Sequence, residues 1–172
     1  MEALFVNKFE TSKELTYEAA KAYRGKKFFI YQIVLFATFL VLAALWIFEL
    51  GDVAKGISTL ALGIIFWVLP IILDRYNAKK NEKRFLLLYN KLPESTTYFF
   101  HNNLLTVNDA NNGELKVEYD KIIKIKQSKN LYLLILKEKM YVMVDKNRFE
   151  KGSCEEFEEF IKAKAVNAKI KL

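Results

Sequence analysis

The residues of this chain that could do chemistry are one cysteine, one histidine, a run of paired glutamates and two clusters of basic side chains. A single Cys154 and a single His101 build neither a disulfide framework nor a metal cluster within one chain. Cys154 falls on the apolar side of a predicted helix, where it reads as a small buried thiol rather than a reactive one. His101 ends an aromatic strand beside two asparagines, with no Ser, Asp or Glu motif around it, and reads as a turn or surface histidine. In "EEFEEF" the helical spacing sets Glu155, Glu158 and Glu159 on an outer face, a solvated face rather than an acid–base pair. No P-loop, dinucleotide-binding glycine run, H-E-x-x-H, G-x-S-x-G or kinase set is present, and the six glycines are scattered. The chain is therefore read as not an enzyme, with no catalytic residue, no metal ligand and no cofactor.

The basic clusters carry a different chemistry. Lys79, Lys80, Lys83 and Arg84 follow a long apolar run, and Lys121, Lys124 and Lys126 mark the basic face of a predicted strand. Ammonium and guanidinium groups in such patches attract anionic lipid or an acidic protein surface. For the strand lysines a plain wet sheet face is the competing reading. The net charge is +7. Outside these clusters Lys and Glu interleave without a compact basic stripe, so no nucleic acid is expected as a partner.

The elements that position these groups begin with two apolar runs. Phe28 to Phe48 contains 21 uncharged residues, and a helix of that length rises about 31 Å, close to a hydrocarbon core of about 30 Å. Gly56 to Leu73 contains 18 more. Helices apolar all round lack the polar stripe of a soluble bundle. The first run starts after a 27-residue polar segment and exceeds a signal-peptide core. The expectation is a transmembrane hairpin turning at "WIFELGDVAKG", where Gly51 permits the reversal and Trp46 sits at the interface. Lys21, Arg24, Lys26 and Lys27 before it, and Arg75 and the first basic cluster after it, place both ends in the cytoplasm by the positive-inside rule. Gln32, Thr38, Ser58 and Thr59 are the polar residues of the spans. Ala43 and Ala44 are expected to meet Ala61 where the helices approach, and small residues of this kind also permit a homodimer.

Around the hairpin, residues 3–10 read as a strand that could join a sheet built later in the chain. Thr11 with Glu14, or preferably Thr16, caps the helix leading to the membrane. Asp74 to Leu92 continues the second helix, with Phe85, Leu88, Tyr89 and Leu92 on one face, either packed on the sheet domain or presented as a surface-lying amphipathic helix, and Pro93 stops it. From Thr96 the period becomes two: "TTYFFH", "LLTVND", "ELKVEY", "KIIKIKQ", "LYLLILK" and "MYVMVD" read as six strands of one antiparallel meander, with turns at "NNG" (111–113) and "SKN" (128–130). Leu131 to Leu136 is apolar on both faces and must be covered twice. A closing helix, with Ser153 and Glu156 as a capping box, turns Cys154, Phe157, Phe160, Ile161, Ala165 and Ala168 to the sheet. The division is 1–27, an N-terminal strand and helix; 28–73, the hairpin (28–48 and 56–73); 74–95, a juxtamembrane helix and linker; and 96–172, the sheet domain. The fold class is membrane α+β.

This order, with the stretches "LTYEAAKAY", "VEYDKIIKIKQSKNLYLLI" and "MYVMVDKNRFEKGSCEEFEEFI", resembles the YcxB-like family of small bacterial membrane proteins. The resemblance implies a PH-like sheet capped by the C-terminal helix and a location in the bacterial inner membrane, and it supplies no catalytic residue. Where its pattern has a Pro-Lys step, this chain has Asp145 and Lys146, a change expected in a turn. The expected function is to present a cytoplasmic PH-like module, close to the lipid bilayer, to a protein partner or to lipid. The alternative is a membrane immunity protein against a toxin or bacteriocin.

Overall fold

The computed structural model describes residues 2–108, 113–137 and 140–171, without the side chains of Tyr89 and Lys171. The "NNG" turn falls largely outside them. The chain forms two compact units, one from the segment up to Tyr23 together with the chain from Ala78 onward, the other Arg24–Asn77.

The second unit is a helical hairpin. Helix α1 (Lys13–Phe48), whose helical path is interrupted at Gly25, and helix α2 (Val53–Tyr89) contribute its two arms. Gly51, at φ +66°, makes the reversal, and Asp52 caps α2 by accepting from the Lys55 N–H at 3.0 Å. The Lys55 ammonium lies 4.7 Å from the Trp46 ring centroid and 2.9 Å from the Asp52 carboxylate. The close approach is made by glycines and not by Ala61, which is exposed. A Cβ on Gly56 would meet Ile47 Cγ1 at 2.3 Å, and one on Gly63 would meet Phe39 Cβ at 2.8 Å. Ala43 is buried at the first of these contacts, whereas Ala44 faces outward. Each polar residue of the spans bonds a backbone carbonyl, as a medium without water requires: Gln32 to Trp67, Thr38 to Val34, and Ser58 and Thr59 to Lys55. Nearer the chain entry, Arg24 pairs with Asp74 and donates to the Pro70 carbonyl at 3.5 Å.

The other unit holds two sheets. β1 (Phe5–Glu10), β2 (Glu94–Phe99), β3 (Asn103–Asn108), β4 (Gly113–Glu118) and the short β8 (Phe149–Lys151) form the first, in the order β4-β3-β2-β1-β8. β5 (Ile122–Gln127), β6 (Leu131–Leu136), β7 (Tyr141–Asp145) and β9 (Lys169–Lys171) form the second, in the order β7-β6-β5-β9. The single meander is thus two. The chain leaves the first sheet through a 3-10 turn, Tyr119–Lys121, where the Tyr119 hydroxyl bonds the carbonyls of Phe100 and Asn103 and breaks the strand period. The N-terminal strand does join a sheet, pairing with both β2 and β8.

Two helix boundaries differ from the sequence reading. Ser12, neither Thr11 nor Thr16, caps α1, accepting from Leu15 N–H at 3.3 Å. α2 ends at Tyr89, ahead of Leu92, because Asn90 takes a left-handed φ of 55°, a stop Asn adopts readily. Leu88 does not face the domain, being 63% exposed.

Helix α3 (Cys154–Lys164) has the Ser153–Glu156 capping box. Its Phe157 is fully buried and centres an aromatic cluster, with Phe99, Phe149 and Phe5 ring centroids 4.7, 5.2 and 5.7 Å away. This helix covers one face of β6, at Tyr132, Leu134 and Leu136. The other face, Leu131, Leu133 and Ile135, lies under Leu15, Ala19 and Ala22 of α1. Double cover is why β6 carries no polar side.

Candidate functional site

Lys79, Lys80, Lys83 and Arg84 are all exposed on α2. Helical spacing puts Ala78, Glu82 and Phe85 on the opposite side, where Ala78 is buried and Glu82 lies 4.0 Å from Lys13. One turn further, Leu86, Leu87 and Leu88 are 43%, 76% and 63% exposed, so the same helix presents cations and then leucines to the surroundings. Of the two sequence readings of this face, the exposed leucines favour the surface-lying amphipathic helix over packing on the sheet domain.

The strand lysines do not form one surface. Lys121 lies in the 3-10 turn, exposed and 3.2 Å from Asp120. β5 carries an irregularity between Ile122 and Lys124, so Lys121 is out of step with the lysines that follow. Lys124 lies opposite Lys169 of β9. Lys126 is committed inside the unit: its ammonium donates to the carbonyls of Ala22, at 2.8 Å, and of Tyr23, and sits 5.7 Å from the Tyr23 ring centroid. It satisfies carbonyls at the end of an α1 segment, where a cation is favoured. A separation of 103 residues hid that role from any local pattern.

Glu18 fastens the same segment. It accepts from the Asn130 backbone N–H at 2.7 Å and from its amide at 2.9 Å. Burial works to raise its carboxyl, but the hydrogen bonds from Asn130 and Ser128 hold it below the ordinary value. Glu158, read as solvated, instead accepts from the Tyr132 hydroxyl at 2.6 Å and from Lys162 at 2.5 Å. Hydrogen bonds from Lys162 and then Tyr132 lower its carboxyl. Burial first, then the Glu158 bond, pushes the Tyr132 phenol up, so it stays a donor tying β6 to α3. Cys154 Sγ lies 3.6 Å from that hydroxyl. His101 is exposed, with Lys164 Nζ 3.3 Å from its Nε2. Among the described residues no three His, Cys, Asp or Glu side chains gather as a metal-binding group.

Besides a cleft of about 370 Å³ next to His101 and Lys164, two others open on this unit. One, of about 500 Å³, has Lys8, Glu10, Glu94, Asp145 and Arg148 in its wall; Asp145 there accepts from Asn147 N–H at 2.9 Å and so shapes the turn after β7. The other, of about 600 Å³, runs along β4, with Leu115, Val117, Leu136 and Met140 as its apolar lining and Lys116 and Lys121 at its rim. Nothing in the periodicity marks it, because its walls come from the two different sheets.

Residues 100–162, from the end of β2 into α3, match the family model described as YcxB-like protein, and the resemblance holds over that stretch. No curated protein and no solved structure matches the sequence. The two long helices contain windows of mean hydropathy 2.4 and 2.3 of which only 11% is buried. Together with the family match, they fit a membrane protein.

Proposed function

We propose that this is a non-enzymatic inner-membrane protein whose two-sheet unit is a PH-like module, presented on the cytoplasmic side to a protein partner or to anionic lipid. The observation that carries the reading is α2 itself. The helix passes from an apolar window into Lys79, Lys80, Lys83 and Arg84, all exposed, and ends a few residues before β2. Each well-placed cation near an anionic surface contributes about 1 kcal/mol. Lys121 and Lys124 are secondary contacts, and Lys126 is left out because its donors are used inside the unit.

The test is a photo-crosslinking residue at Lys80 or Arg84 of the full chain in native membranes. Adducts with phospholipid or with one specific protein, lost when the other three cations are changed to Glu, support the reading. Indiscriminate labelling, unchanged by those substitutions, counts against it.

A further inference from the structure

The edges of the two sheets are managed unequally. β8 and β9 have three residues each, too short to template a neighbour. At β7, a five-residue strand, the buried Asn7 closes one end of the outer edge, its side chain bonding Asp145 at both N–H and C=O, at 3.0 and 2.7 Å. β4 is the exception. It has six residues, contains no proline, pairs with β3 in unbroken register, and among the described residues has no strand beyond it in the sheet.

Its backbone groups can be assigned to sides. The Asn103 carbonyl accepts from Phe100 N–H, which turns Asn103 toward β2. Alternation then turns Leu104 and Thr106 toward β4, where they stand opposite Val117 and Leu115. The N–H and C=O groups of Glu114, Lys116 and Glu118 therefore point outward, away from the sheet.

Antiparallel pairing of this edge with its own copy must centre on a residue, so that opposite side chains share a face. Centred on Lys116, lysine faces lysine and Glu114 faces Glu118. Centred on Val117, the ladder runs into the Tyr119–Lys121 turn after three residue pairs. Centred on Leu115, five pairs form, with Glu114 opposite Lys116 of the second copy in both directions. The outward backbone groups of those two residues then exchange hydrogen bonds, while the two Leu115 residues form the closer, non-hydrogen-bonded pair. Charges on an edge strand ordinarily prevent pairing. Here the two signs alternate, which forbids the neighbouring register and favours this one. The cleft of about 600 Å³ runs along the same edge, with Leu115 and Val117 in its wall and Met140 47% exposed beside it.

We propose that the outer edge of β4 pairs with β4 of a second copy of this chain, antiparallel about Leu115, to give a sheet continuous across a two-fold dimer. The test uses the full chain in lipid nanodiscs and in detergent, with mass read by light scattering and sedimentation. The wild-type chain is expected as a dimer. Lys116→Glu, which sets like charges opposite each other, is expected to weaken dimerisation at least tenfold while the circular-dichroism spectrum of the folded chain stays unchanged. The swap Glu114→Lys with Lys116→Glu is expected to restore it. In a Cys154→Ala background, Leu115→Cys should form an intermolecular disulfide, whereas Lys151→Cys on β8 should not. A monomer at every concentration overturns the proposal. So does a dimer indifferent to Lys116→Glu, or one that the charge swap fails to restore.

Discussion

β6 and the two membrane helices share one sequence signature and meet opposite fates. Leu131–Leu136 is apolar on both faces, and every residue of it is buried by protein, with α3 on one side and the start of α1 on the other. The helical spans are apolar all round, yet Ile33, Val41, Leu62 and Ile65 are 56%, 61%, 49% and 52% exposed. An apolar run with no polar face states only that something must cover it. Length separates the two cases. Six residues of strand extend about 20 Å and are covered by two amphipathic helices, whereas a helix of some twenty residues matches the hydrocarbon thickness and is left for lipid.

The largest way to break the contrast is Phe157→Asp, which sets an unpaired charge in a fully buried aromatic cluster. The two-sheet unit is expected to lose its cooperative melt, while the hairpin still partitions into membranes. Next, Leu133→Ala and Leu134→Ala lie on opposite faces of β6 and each should cost about 2–5 kcal/mol in chemical unfolding. Leu62→Ala, on the exposed side of α2, should leave that unit's stability unchanged. A strand covered on one face only would show a large loss at Leu134 and a small one at Leu133.

How far the sequence showed this depends on the range of each interaction. The spans, the α3 capping box and the double cover of β6 rest on spacing within one element, and hydrophobic periodicity reports them directly. The contact of Asn7 with Asp145 and the use of Lys126 rest on partners 138 and 104 residues away, and the break between the sheets rests on Tyr119 reaching Phe100 and Asn103, outside its own strand. No local pattern carries that information. The error at Ala61 has the same origin: composition names the small residues of a hairpin, but the register fixed at Gly51 decides which ones meet, and it selected Gly56 and Gly63. Glu158 was misplaced because a helical wheel cannot show that Tyr132 of β6 reaches it.

The glycine contacts give the third test. Gly63→Leu must displace Phe39, at an overpacking cost of about 1–3 kcal/mol, and should open the hairpin as a shift in its mobility on detergent gels. Leu62→Gly, one residue away and outward, should not. The smallest effect is in acid. The Glu18 carboxyl is lowered from 4.5 in the folded chain, so its contribution is present above that value and is lost as pH falls through the folded value. Hydrogen exchange of the Asn130 amide should accelerate as pH drops below 4.5, after correction for intrinsic rates. In Glu18→Gln that dependence should disappear.

In the topology proposed above, lipid covers what protein leaves bare, and the hairpin turn and the sheets lie on opposite sides of a membrane. Cysteine labelling in intact cells tests it most directly, in a Cys154→Ala background. Asp52→Cys should react with a membrane-impermeant maleimide added outside, while Lys137→Cys on the sheet unit should react only after the membrane is opened. Labelling of Lys137→Cys from outside, or recovery of the chain in the soluble fraction, would contradict the account.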